Sequence, residues 1–321
     1  MTDTDSHLTL DTSGPLGDRV FALHSGESLG PGMRRIALGQ LDDAIELVGG
    51  GDDGHREDAV HEARKALKRL RALARLLRDE LGEERYRLEN ATLRDVAREL
   101  AGARDAEVLV ETLEGLIERH PSATPADGFA ALRAELVVER HLASQRLVGD
   151  ASVTDQVAGE LRAVRDRVGD WVGSDAGFDA VAPGLRRIYR QGGERYRQAR
   201  RDPSAERLHE WRKRVKDLRH AGEVLAPAGR DRMSWVAKTA DRLGETLGED
   251  HDLAVLDDLV RDRRELFRSK RDRRALRGLI ARRRAKLQRR AMRLGRELYR
   301  DGPDRFVART ARDWLASSAV S

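Results

Sequence analysis

Apolar residues return every three or four positions from Pro31 to near the end of the chain, with Leu and Ala set among Arg and Glu. That is the period of an amphipathic helix, and it recurs in segment after segment. Strand signals are absent: β-branched runs are short and aromatics make up 4% of the residues. Helix breakers fall at Gly49 to Gly51, Gly82, Gly102, His120 to Pro125, Gly149, Gly173 to Gly177, Pro203, Pro227 to Gly229, Gly248 and Gly302-Pro303. The pattern predicts an all-α fold. Residues 1–29 are rich in Asp, Ser, Thr and Gly without a sustained period, and are expected to form a flexible N-terminal tail.

Composition narrows the picture. Of 321 residues, 36% are charged and 39% apolar, so the core must be assembled from narrow apolar stripes. The absence of Cys excludes disulfides, thiol catalysis and cysteine-ligated zinc. No stretch approaches the roughly 18 uncharged apolar residues of a membrane span. The first ten residues carry Asp3 and Asp5 and no basic segment, unlike a signal peptide, so the expected compartment is the cytoplasm. The net charge of +5 conceals 61 basic and 56 acidic residues, and their distribution matters more than their sum. Seven of the basic residues are Lys, and four of those seven lie in two short matching segments.

Those segments are His61-Glu62-Ala63-Arg64-Lys65-Ala66-Leu67-Lys68-Arg69-Leu70-Arg71 and His209-Glu210-Trp211-Arg212-Lys213-Arg214-Val215-Lys216-Asp217-Leu218-Arg219, which share H-E-x-R-K-x-x-K-x-L-R at an offset of 148 residues. Further on, Leu100 to Leu109 aligns with Leu247 to Leu256 at an offset of 147. Upstream, Met33-Arg34-Arg35-Ile36 aligns with Leu185-Arg186-Arg187-Ile188. Three ordered matches at nearly constant offset predict an internal duplication. The expected product is two antiparallel helical bundles related by a pseudo-twofold axis, with repeat one over about 30–173 and repeat two over about 178–321.

At 100° per residue, His61, Arg64, Lys65 and Lys68 share one helix face, extended by Ala72 and Arg75, while Ala63, Leu70, Leu77 and Leu81 lie opposite. His209, Arg212, Lys213, Lys216 and His220 behave alike, backed by Trp211, Leu218 and Leu225. Each stripe reads either as a solvated face or as a binding surface. Solvated faces intersperse acids at i+4, whereas here Glu62 and Glu210 are expected to point sideways. Two such stripes facing each other would line a groove for a polyanion, with Lys as point charge and Arg as bidentate fork for phosphate oxygens. Arg34 and Arg35 extend the idea, as do Arg140 and its counterpart region around Arg284.

Other constellations are weaker. His61-Glu62 lacks the second His of a zinc-protease helix because position 65 is Lys. Glu249-Asp250-His251-Asp252 resembles a metal cluster but reads better as the capped start of a helix after Gly248. Asp105 and Asp252 recur as candidate orienters of the basic residues. No phosphate-binding Gly-rich loop and no nucleophile–base pair is visible, and no cofactor or metal is expected. The leading expectation is therefore a binding protein and not an enzyme. The competing readings are a metal-dependent phosphohydrolase or phosphotransferase using His61 or His209, and a scaffold for acidic proteins.

The duplicated motif resembles that of the CHAD domain, the conserved histidine α-helical domain, over about residues 31–317. The likeness is carried by His61-x-x-Arg64-Lys65-x-x-Lys68-Arg69-Leu70-Arg71, by His209-x-x-Arg212-Lys213-x-x-Lys216-x-Leu218-Arg219, and by the segments at Leu100 to Asp105, Leu247 to Asp252 and Pro303 to Trp314. The resemblance implies a pseudo-symmetric helical domain over 30–321 that binds inorganic polyphosphate on a central basic surface, in many relatives at polyphosphate granules. The binding role carries over to His61, Arg64, Lys65, Lys68, His209, Arg212, Lys213, Lys216 and Arg219, and less directly to Arg71, Arg34 and Arg35. The E-x-E-x-K signature of the CYTH domain that many relatives add is not in this chain, so catalysis borrowed from it is not implied. Neither membrane association nor sequence-specific nucleic-acid binding is expected.

Overall fold

The computed structural model describes residues 20–50, 56–100, 103–121, 129–147, 151–227 and 230–318. Twelve α-helices run through them: α1 (Leu29–Gly49), α2 (Arg56–Leu76), α3 (Arg78–Leu81), α4 (Glu83–Glu99), α5 (Ala103–Arg119), α6 (Ala130–Leu147), α7 (Ala151–Arg167), α8 (Ala182–Arg201), α9 (Ala205–Leu225), α10 (Arg230–Asp262), α11 (Lys270–Leu298) and α12 (Pro303–Ser318). No strand occurs among the described residues. The fold is all-α, as the periodicity predicts.

Helix ends follow the local chemistry. Ser204 caps α9 by accepting from the backbone N–H of Arg207 at 3.3 Å, and Ser269 caps α11 by accepting from Asp272 at 3.1 Å. Pro303 opens α12, where its missing N–H costs nothing. The expected breaks at Gly102 and Gly149 lie outside the described residues. The break expected at Gly248 does not occur: α10 continues from Arg230 to Asp262. Glu249 to Asp252 are therefore mid-helix residues and not a cap. The reason is packing: Leu243 and Leu247 before the glycine are buried in one apolar cluster, and Leu253, Leu256 and Val260 after it in another, so both sides of Gly248 are held in one helix.

The apolar backs of α2 and α9 are the centre of the core. Ala63 and Leu70 on one, with Leu77 just past its end, and Trp211, Leu218 and Leu225 on the other, are wholly buried. Trp211 sits so close to α11 that a Cβ on Gly295 would lie 2.6 Å from its ring. Burial divides into two clusters, and neither belongs to one half of the chain alone. The larger joins α1, α2, α4, α7, α8, α9, α12, the start of α10 and the end of α11. The smaller joins α5 and α6 to the C-terminal part of α10 and the N-terminal part of α11. The length of α10 and α11 explains this. At 1.5 Å per residue they span about 50 and 43 Å, longer than one bundle layer requires, and their far ends pair with α5 and α6.

Part of the segment expected to be a tail up to residue 29 packs onto the fold. Residues 1–19 lie outside the described residues, but Phe21 and Leu23 are buried and the Leu23 N–H donates to the Val224 carbonyl at 3.0 Å. Arg35 holds this strap, donating to the carbonyls of Val20 and Ala22 and to Glu27. Arg34 donates to the Val172 carbonyl at 2.6 Å, tying α1 to the connection between α7 and α8.

Candidate functional site

A cleft of about 1400 Å³ opens between α2 and α9, walled by α5 and α10 with a contribution from α6. Its floor is made by the two repeated motifs. His61, Arg64, Lys68, Arg71 and Arg75 come from α2, and His209, Arg212, Lys213, Lys216 and His220 from α9. The geometry follows from the helix wheel: once Leu70 and Leu218 are buried, residues half a turn away must face outward. Among the described residues, nine Arg and Lys side chains line the cleft with five carboxylates.

Three of the five carboxylates are engaged by arginines. Asp217, 6% exposed, accepts from Arg75 at 3.1 Å and pairs with Arg214 at 3.0 Å. Glu249 pairs with Arg283 at 2.6 Å, with Arg119 reaching it from α5 at 3.6 Å. Glu139 pairs with Arg263 at 2.7 Å.

The basic groups at the centre are crowded and partly buried. Burial, then the charges of Arg212, Lys68 and Arg219, depress the Lys216 ammonium to about 8. Lys216 makes no ion pair among the described residues. Arg212 lies across α10 at Gly248, where a Cβ would stand 3.1 Å from its guanidinium, so the glycine makes room for the arginine. Its Nε is buried without a partner, and so is Nδ1 of His209. The rings of His209 and His251 sit 4.3 Å apart, and burial followed by neighbouring positive charge lowers both below the usual imidazole range. Buried donors without acceptors are costly until something accepts from them.

Not every expected residue joins the cleft. Lys65 and Lys213 are each paired with the acid three residues earlier, Glu62 at 3.0 Å and Glu210 at 2.5 Å. The acids expected to point sideways thus engage both lysines; Lys213 still lines the cleft, whereas Lys65 does not. Arg71 lines it and donates to Asn90 at 3.2 Å, with burial then Arg75 lowering its pKa to about 10. Arg219 turns away to Glu223 and Asp241, both at 2.7 Å. Arg34 and Arg35 are spent on the backbone contacts of α1, also outside the cleft. Arg140 is exposed on α6 and does not line it. Arg284 is occupied by the buried Asp250 at 3.2 Å.

Sequence reasoning missed His251, Arg119 and Arg214 as site residues. The first lies on a helix expected from the sequence to end at Gly248, whereas α10 runs on through that glycine and brings His251 beside His209. The other two follow only from tertiary packing. Asp252 lines the cleft, whereas the side chains of Arg104 and Asp105 lie outside the described residues. Among the described residues no group of three or more His, Asp or Glu is arranged to hold a metal ion, and no helix is long and apolar enough to cross a membrane.

No curated protein matches the chain. Among solved structures, the crystal structure of the CHAD domain from the plant Ricinus communis is similar with a TM-score of 0.56 at 19% identity, over 91% of this chain and 95% of that one. That likeness is one of fold. The CHAD domain family model matches residues 35–261, which include both motif helices and most of the cleft wall. The chain therefore belongs to the CHAD domain family.

Proposed function

We propose that this protein is a non-catalytic receptor for inorganic polyphosphate, which lies in the cleft between α2 and α9. The observation that carries the reading is the convergence of Arg64 and Lys68 from α2 with Arg212 and Lys216 from α9 on one cleft. Phosphate oxygens match these cations, and a flexible phosphate chain follows a preformed cationic track at the gain of released counterions. The resemblance of the repeated motif to that of polyphosphate-binding relatives points the same way, and an internal duplication accounts for matched cations on both sides. Asp217, Glu249 and Glu139 are held in ion pairs with arginines, which supports binding over metal-dependent catalysis. The cleft lining contains no Phe, Tyr or Trp, so stacked bases gain little there. Granule association in the cytoplasm is the cellular setting this reading implies.

The test is a titration with long-chain polyphosphate at several salt concentrations, beside duplex DNA of equal phosphate content. Tight, salt-sensitive binding to polyphosphate with much weaker DNA binding is expected. Equal binding to both would reduce the cleft to a general anion surface. Absence of binding, together with metal-dependent phosphate release, would replace the reading by an enzymatic one.

A further inference from the structure

Exposed arginines on this protein are commonly matched by carboxylates: Arg78 with Glu83, Arg133 with Glu114, Arg165 with Asp42 and Arg186 with Asp304. The C-terminal half of α11 departs from that habit. The helix carries thirteen Lys and Arg residues against two acids, Asp272 and Glu297. Arg277, Arg283 and Arg284 are engaged by Asp257, Glu249 and Asp250. Arg289, Arg293 and Arg296 are exposed and have no ion-pair partner among the described residues. They fall at i, i+4 and i+7, one stripe about 10 Å long. With Arg200 of α8, Pro203 and Met292 they line a groove of about 570 Å³ that no carboxylate enters.

Like charges one turn apart destabilise a helix. No ion pair among the described residues offsets this repulsion, and the four guanidinium forks around the groove suit phosphate oxygens. Met292 and Pro203 present no aromatic face, so a single-stranded nucleic acid has no stacking platform there.

The groove also lies next to the cleft. Gln288 lines the groove and donates to Asp250 at 3.0 Å. The next residue, His251, lines the cleft beside His209. The two acids between groove and cleft, Glu249 and the buried Asp250, are already held by Arg283 and Arg284.

We propose that the groove between α8 and α11 is a second phosphate-chain subsite, so that one long polyphosphate leaving the cleft occupies both. The inference rests on the polyphosphate reading of the cleft and adds a length preference to it. A short chain fills the cleft alone. A long chain binds the groove intramolecularly, with the gain of linked sites.

The experiment uses the whole protein, the triple variant Arg289→Ala/Arg293→Ala/Arg296→Ala, and the cleft variant Lys68→Ala/Lys216→Ala, each titrated with short-chain and long-chain polyphosphate and with duplex DNA. Circular dichroism checks that each variant is folded. The triple variant is expected to lose about tenfold or more in long-chain affinity while short-chain affinity stays as in the wild type. Unchanged long-chain affinity would overturn the subsite, as would equal loss for short and long chains, which marks a general field effect. A larger loss for duplex DNA than for long polyphosphate would overturn it in favour of a nucleic-acid surface. The cleft variant reads the other reading separately: if its short-chain affinity survives while the triple variant loses long-chain binding, the cleft assignment fails and the groove stands.

Discussion

Arg75 of α2 donates to Asp217 of α9 at 3.1 Å, and the contact joins the two motif helices at the floor of the cleft. Asp217 takes the motif position that Arg69 holds in the first motif, so the two motif helices are not charge-equivalent. One buried acid lets two arginines approach without repelling the helices apart. Asp217→Ala leaves Arg75 and Arg214 facing each other uncompensated and is expected to cost about 3 kcal/mol. Chemical denaturation measures it, and a loss under a few tenths would mean the pair does not fix the helix crossing.

Lys216 sits on the opposite side of that balance. Its folded-state pKa of about 8 lies below the ordinary lysine value, so the folded state holds its proton less tightly than the unfolded chain does. Ligand-free stability should therefore rise as pH increases from about 8 toward the ordinary lysine value. Lys216→Met should remove that rise and stabilise the protein at pH 7 by about 1–3 kcal/mol, while weakening polyphosphate binding. A destabilised variant would show that Lys216 is satisfied in the free protein.

Binding should take up protons. A bound phosphate chain raises the affinity of Lys216, His209 and His251 for protons, and all three are held low in the free protein by burial and neighbouring cations. Affinity is then greatest at acidic pH and falls as pH rises, last through about 8. Calorimetric titrations in buffers of different ionisation enthalpy measure the uptake. Lys216→Arg should retain binding but lose the component near pH 8. Buffer-independent enthalpies would contradict the account.

The core argument has its own check. Leu70→Ala and Leu218→Ala each empty a fully buried position and should cost about 2–5 kcal/mol. Thermal or chemical unfolding reads this directly, and a negligible loss would mean the helix faces are assigned in reverse.

Much of this was legible along the chain, for identifiable reasons. The spacing of Leu70, Leu77, Trp211, Leu218 and Leu225 fixes which way α2 and α9 turn, and the basic stripe follows from it. Arg64, Lys68, Arg212 and Lys216 could thus be named from spacing alone. Lys65 could not be separated from Lys68, because a local pair with Glu62 draws one aside and leaves the other in the cleft. Arg34, Arg35, Arg219 and Arg284 look no different in sequence, yet carbonyls and acids from distant segments occupy them. Gly248 misled because a glycine in a helical pattern reads as an end, whereas here it clears space for Arg212. Sharing of the smaller core between α5–α6 and the far ends of α10 and α11 is a long-range matter that no local pattern encodes.

The most direct test of the central claim is the salt dependence of polyphosphate affinity for the wild type and for Lys68→Ala/Arg212→Ala/Lys216→Ala. Each cation that neutralises a phosphate contributes about one unit to the slope of log affinity against log salt. The account predicts weaker binding and a slope flatter by about two to three in the variant, with helicity unchanged. An unchanged affinity and slope in a folded variant would contradict it, because the phosphate chain would then lie somewhere other than between α2 and α9.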